Sequence, residues 1–248
     1  MGIDLSKMRE KLSSLNNKGG NGKSAFWRPQ DGEQSIRIVP TPDGDPFKEY
    51  FFHYNLGKNP GFLCPKRNFG DDCPVCNFVR TLYNEGDEES VKMAKKLNSR
   101  QRFFSPVMVR GEEAEGVRVW GYGKMAYQEL LNLVLNPDYG DITDVDEGTD
   151  LLLKYGKPPG ASFPQTSLTP RRRSSALVED KEQIKTLLEA VPDFVKLFDK
   201  KEGNDIQAML DEFLLGEDDA EDASVETVKY SSGGKDDAVD KAFAELMA

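Results

Sequence analysis

The single histidine and all three cysteines of this 248-residue chain fall within 24 positions: His53, Cys64, Cys73 and Cys76. Their spacing is His-x10-Cys-x8-Cys-x2-Cys. A Cys-x2-Cys turn aims two thiolates at one centre, and two further ligands complete a tetrahedron, so the pattern predicts one closed structural zinc site of the Cys3His type. Pro65 and Pro74 each follow a cysteine and stiffen the two knuckles, and Gly70 lets the chain double back. A disulfide framework does not suit an odd cysteine count. A thiol redox reading of Cys73-Pro74-Val75-Cys76 leaves Cys64 and His53 unexplained, and an iron–sulfur site wants a fourth cysteine. The ligand set also consumes the chain's only His and Cys, which leaves no acid–base partner for a zinc or thiol enzyme; the expectation is a non-catalytic protein.

Charge is distributed unevenly. The formal net charge is -10, yet residues 202–248 hold 14 acids and 3 bases. The body is therefore near neutral, and within it three windows contain no acid at all. Residues 50–70 carry Lys58, Lys66 and Arg67; residues 92–110 carry Lys92, Lys95, Lys96, Arg100, Arg102 and Arg110; residues 151–178 carry Lys154, Lys157, Arg171, Arg172 and Arg173. Such segregation predicts a basic surface on the body and an acidic tail that masks it in the average.

Aromatics interleave with these bases. Tyr50, Phe51, Phe52, Tyr54, Phe62 and Phe69 fall in the first window, Phe103 and Phe104 beside Arg100 and Arg102 in the second, and Tyr155 and Phe163 in the third. Between the last two windows lies Trp120-Gly121-Tyr122-Gly123-Lys124. Cations that track phosphates and rings that stack on bases are the means of holding a nucleic-acid single strand with little sequence preference. We expect Phe51, Phe52 and Phe69 in the core, and Phe103, Phe104 and Trp120 exposed to a ligand.

Periodicity places short strands at residues 35–40, 103–109, 116–122 and 150–155, and helices at 125–136, 182–200 (with a kink at Pro192) and 204–215. This predicts a mainly β or α+β domain of the barrel kind. Leu5, Met8, Leu12 and Leu15 share one helical face in a basic arm, residues 1–21, ahead of a Gly/Asn hinge. The expected layout is that arm, a DNA-binding core at 22–201 with the zinc subdomain at about 50–80, and a tail at 202–248, disordered beyond Gly216. No apolar run approaches the roughly 20 residues of a membrane span, and residues 1–15 lack the apolar stretch of a secretory signal.

The strand Ile36-Arg37-Ile38-Val39-Pro40, the ordered His53, Cys64 and Cys73-Pro74-Val75-Cys76 set, the Arg-rich aromatic strand at 100–109, and residues 117–124 leading into a helix occur in one order. Together they resemble the T-even-type phage single-stranded DNA-binding, helix-destabilising proteins, over about residues 26–178. The resemblance implies an OB-fold core with an inserted zinc subdomain, cooperative coating of single-stranded DNA in replication, recombination and repair, and location in the cytoplasm of the infected host cell. It implies a tail that contacts replication proteins such as a polymerase, a helicase loader and a recombination mediator. By position it assigns Arg37, Arg100, Arg102, Phe103, Phe104, Trp120 and Phe163 to the DNA groove; Tyr122, Lys124, Arg171, Arg172 and Arg173 join them from the basic and aromatic pattern. Two departures stand out. The metal-ligand spacings are slightly shorter. The family's cooperativity element, three bases followed by two hydroxyl residues, is interrupted near the N-terminus by Glu10 and occurs unbroken at Arg171-Arg172-Arg173-Ser174-Ser175. A zinc-ribbon adaptor that binds proteins through its acidic tail is the rival expectation.

Overall fold

The strand β5 (Arg100–Val109) organises the sheet, because it is long enough to serve three partners. The computed structural model describes residues 25–56, 61–198 and 200–217; the expected N-terminal arm, Lys58 and the tail from residue 218 onward lie outside them. One edge of β5 pairs with β6 (Arg118–Tyr122), from Phe103 opposite Tyr122 to Val107 opposite Arg118. The other edge is shared. Its first half pairs with β3 (Lys48–His53) and its last three residues with β2 (Gly32–Ile38), all antiparallel. Pro106, which lacks a ladder donor, sits at the changeover, and its carbonyl accepts the Val39 N–H at 2.9 Å.

The sheet continues from β2 to β7 (Thr149–Gly156) and β8 (Gln165–Ser174). At the other end the short β1 (Phe26–Trp27) lies parallel to β6, and β4 (Phe62–Leu63) pairs with β3. The domain is thus mixed, with a sheet and a helical region, as the sequence pattern leads one to expect in coarse outline. Residues 165–174, for which periodicity names no strand, form β8.

Both faces of the sheet are covered. Phe103, Trp120, Tyr122, Ile36, Leu151 and Leu153 pack on one side beneath Ala126 and Leu130 of α4 (Lys124–Val134). On the other side Phe104, Phe52, Phe26 and Val119 pack beneath Phe194 and Phe198. The Phe198 ring centroid lies 4.7 Å from that of Phe104 and 5.1 Å from that of Phe52. Phe198 follows α6 (Phe194–Leu197), and α5 (Lys181–Glu189) precedes it; together they form the strap that closes this face. A strand buried on both sides reads as a continuous apolar run rather than an alternation, and residues 103–109 do apart from Ser105.

Three helices follow β4: α1 (Pro65–Phe69), α2 (Pro74–Glu85) and α3 (Glu88–Leu97). Pro65 and Pro74 each occupy a first helical turn, where the missing N–H costs nothing. Gly70 and Gly86 end α1 and α2 with φ of 79° and 75°, a left-handed conformation that favours glycine. Asp87 caps α3 by accepting the Ser90 N–H at 2.9 Å, with Glu88 and Glu89 in the first turn and Lys95 and Lys96 in the last, matched to the helix dipole.

The subdomain so formed extends to Leu97, beyond the expected limit near residue 80. It is completed by α7 (Gly203–Glu217), whose Ile206, Leu210 and Phe213 are buried with Val75, Val79, Leu82, Ala94 and Leu97. Residues 203–217 therefore belong to the folded body, and the expected boundary at 202 moves to the C-terminal side of α7. None of the helices among the described residues is long and apolar enough to cross a membrane.

Candidate metal centre and nucleic-acid interface

His53 is the last residue of β3, Cys64 caps α1, Cys73 caps α2, and Cys76 lies in the first turn of α2. Their ligand atoms all fall within 4.8 Å of one another, with His53, Cys64 and Cys73 buried and Cys76 half-buried. His53 Nε2 is 3.3 Å from Cys76 Sγ and 3.5 Å from Cys73 Sγ, and the Cys64 and Cys76 sulfurs are 3.4 Å apart. The other ring nitrogen, Nδ1, donates to the Leu97 carbonyl at 2.9 Å, which fixes the tautomer and aims Nε2 at the sulfurs. The Arg67 N–H donates to Cys64 Sγ at 3.4 Å. Cys73 makes no side-chain cap bond, so its sulfur is left for the cluster.

The electrostatics call for a cation. Burial opposes charge on His53, but hydrogen bonds that the ring donates to Cys64 and Cys73 outweigh it and raise the ring to about 9. Hydrogen bonds from Cys64 and then Cys76 hold Cys73 far below the usual thiol range, while Cys64 and Cys73 push Cys76 far above it. Three sulfurs this close cannot all ionise unless a positive charge joins them. Soft thiolates and an imidazole in a four-fold set provide the donors, so the cluster is able to hold a metal ion.

The expected nucleic-acid residues divide into two groups. Arg37 is 0% exposed. Its guanidinium bonds Asp150 Oδ1 at 2.9 Å, the Asp144 carbonyl at 3.2 Å and the Ser175 carbonyl at 2.8 Å. It is an internal staple, and its assignment to a groove is corrected. Phe103, Phe104 and Trp120 are exposed by 1%, 0% and 1%, so they offer no ring face to a base. Tyr122 is buried as well, with its hydroxyl 2.7 Å from Ser105 Oγ. The flanking Arg and Gly residues point to the surface for these rings; the strap and α4 cover both faces instead. Phe52 is buried as expected, whereas Phe51 and Phe69 are half-buried beneath Arg67 and Lys200, each cation 4.3 Å from the ring centroid.

The second group faces solvent. Arg100 is exposed and Arg102 half-buried on one face of β5, Arg102 near Gly123, and the exposed Lys124 begins α4. Phe163, in the loop between β7 and β8, is 70% exposed. Arg171, Arg172 and Arg173 are all exposed on β8 and line a shallow groove of about 450 Å³ with Leu152, Thr169 and Pro170. In sheet order β2 and β7 stand between β5, which carries Arg100 and Arg102, and β8, which carries the triplet.

Sequence reasoning missed Asp150, Arg110 and Ser175, which hold Arg37 and one another. The available signal was Arg37 itself, set between Ile36 and Ile38 in a strand with two buried faces.

A search of curated proteins finds no match. A family model described as "gp32 DNA binding protein like" matches residues 30–214, from just ahead of β2 into α7, and so spans the sheet apart from β1, the Cys/His cluster and both basic patches. The chain belongs to the gp32-like family of phage single-stranded DNA-binding proteins, which serve DNA metabolism and are not catalysts.

Proposed function

We propose that the protein coats single-stranded DNA through two basic patches, the exposed Arg171–Arg173 on β8 and, beside the start of α4, the exposed Arg100 and Lys124 with the half-buried Arg102. Phe163 supplies an exposed ring for stacking. The observation that carries this reading is the state of the arginine triplet: three adjacent guanidinium groups stand at the surface beside an apolar groove floor, and no acid among the described residues pairs with them. Strand-bound phosphates are the complementary ligand, and rings add sequence-tolerant affinity.

The metal in this reading is one structural zinc ion held by His53, Cys64, Cys73 and Cys76. Zn–S and Zn–N bonds of about 2.3 and 2.0 Å put ligand atoms roughly 3.5–3.8 Å apart in a tetrahedron. Three of the separations, 3.3–3.5 Å, need only a slight expansion, and the whole set already lies within 4.8 Å. The shared edge of β5, serving both β3 and β2, supports reading the sheet as an OB-type barrel. Residues 1–21 are proposed to reach a neighbouring copy on the strand, and residues 218–248 to compete for the basic surface and recruit replication proteins when DNA displaces them.

The test is a poly(dT) titration at several salt concentrations, by intrinsic fluorescence. Each phosphate contact contributes a slope of roughly 0.7 in log K against log salt. Arg171→Ala, Arg172→Ala and Arg173→Ala combined are expected to lower the slope by up to about 2. An unchanged slope and affinity would remove the triplet from the interface.

A further inference from the structure

The ladder between β7 and β8 runs regularly from Gly156 opposite Gln165 to Leu151 opposite Pro170, then jumps to Thr149 opposite Ser174. One residue, Asp150, thus faces three: Arg171, Arg172 and Arg173. A bulge of this kind bends its strand and re-aims the extra side chains. It also sets a carboxylate directly across from three arginines, which would neutralise one of them if left available.

That carboxylate is already occupied. Asp150 Oδ1 accepts from Arg37 Nε at 2.9 Å and Arg110 Nη2 at 2.9 Å, and Oδ2 accepts from Arg110 Nε at 3.0 Å and Ser175 Oγ at 3.2 Å. The same two guanidinium groups grip the chain just past the bulge. Arg37 Nη2 donates to the Ser175 carbonyl at 2.8 Å and to Ser175 Oγ at 2.7 Å. Arg110 donates to the Leu177 and Ala176 carbonyls at 2.7 and 2.9 Å. Backbone bonds from Ser175 N–H to the Gly148 carbonyl, 3.0 Å, and from Leu177 N–H to the Val145 carbonyl, 2.8 Å, complete the clamp. The bulge is thereby tied on one side by the ladder at Pro170 and on the other by this network.

We propose that Asp150 and Ser175 are positioning residues for single-strand binding: Asp150, its carboxylate taken up by Arg37, Arg110 and Ser175, and Ser175 itself fix the C-terminal end of the bulge, so that Arg171, Arg172 and Arg173 are presented outward together. This rests on the reading that the triplet contacts phosphates. Asp150 touches no DNA in this arrangement; it acts through the backbone it holds and through the neutralisation it withholds.

The test uses the full chain with its metal bound. Ser175→Ala removes one bridging hydroxyl and leaves the carbonyl that Arg37 also uses, so melting temperature and metal content are expected to stay near those of the parent. Poly(dT) affinity at about 0.1 M salt is expected to fall about fivefold and the salt slope by about 0.7, the share of one phosphate contact. In a background lacking Arg171, Arg172 and Arg173, the same substitution is expected to change neither. Asp150→Asn, which keeps the shape and removes the charge, is expected to give an equal or larger fall in slope; if it does not fold, Ser175→Ala decides alone. Normal affinity and slope for Ser175→Ala, or equal losses in both backgrounds, overturns the proposal. Normal binding by the triple-arginine variant itself would instead overturn the phosphate-contact reading beneath it.

Discussion

His53 Nδ1 and the Leu97 carbonyl, 2.9 Å apart, join the end of β3 to the end of α3 across 44 residues. The bond makes the ligand orientation of the imidazole depend on the helical subdomain, and the subdomain's closure depend on the ligand. Cys64 and Cys73 are themselves buried among Leu56, Phe62, Val75 and Leu97. A metal taken up by this cluster would therefore bind in one event with local packing.

Purified protein is expected to contain one zinc ion per chain, and His53→Ala or Cys76→Ser to lose it. The subdomain should then loosen, with a fall in melting temperature on the order of 10 °C for a loss of several kcal/mol and a reduced helical signal by circular dichroism. Identical melting and helicity with and without chelator would count against a structural metal.

Substitutions at the rings should separate packing from binding. Phe103→Ala, Phe104→Ala and Trp120→Ala are expected to cost about 3–5 kcal/mol each in urea unfolding, as large-to-small changes in a core do. Phe163→Ala should change stability by no more than about 0.5 kcal/mol and weaken poly(dT) binding by about 1–3 kcal/mol if its ring stacks on a base. Unaltered binding would leave Phe163 a solvent-exposed loop residue.

Arg37→Ala should behave as the loss of a buried ion-pair partner. It is expected to lower stability by about 3–5 kcal/mol, read as a shifted urea midpoint with an unchanged m-value. A wild-type midpoint would contradict the staple role.

Two truncations separate the contribution of α7 from that of the acidic tail. Removal of residues 218–248 should leave melting temperature unchanged and strengthen binding to single strands at low salt, by relief of an intramolecular acidic competitor; the gain should shrink as salt rises. Removal of residues 203–248 should lower melting temperature and expose Val79, Leu82 and Leu97 to a hydrophobic dye. Equal melting of the two forms would show that α7 contributes no packing.

Legibility follows chemistry and period. His53, Cys64, Cys73 and Cys76 are readable because both residue types are rare and clustered, and β2, β7 and α4 because Ile36 and Ile38, Leu151 and Leu153, and Tyr127 and Leu130 repeat at strand or helix spacing, although Val134 and Leu135, on the same expected helical face, are exposed. The helices α1 to α3 are harder to see, since cysteines and prolines dominate the knuckle pattern and mask Val75, Val79 and Leu82 at helical spacing. Exposure is the least readable quantity. Phe103 and Phe104 are adjacent, so one points to each face, and only the distant Phe194 and Phe198 reveal that the second face is closed. Arg110 sits in a window without acids, yet it turns, with Arg37, to Asp150, which lies just outside another such window.

The last helix has a consequence for how the protein is made. During synthesis all four metal ligands leave the ribosome well before Ile206, Leu210 and Phe213, the residues that complete the subdomain around them. A nascent chain can bring the four side chains together early, but its helical layer stays open on one side until α7 has emerged, far downstream of Cys76. Contacts so far apart in sequence carry a loop-closure cost before they return any stability. The final packing step therefore waits for α7, and an incomplete product released short of it would present the Cys/His cluster with an unsealed apolar flank, a natural point of attack for proteases.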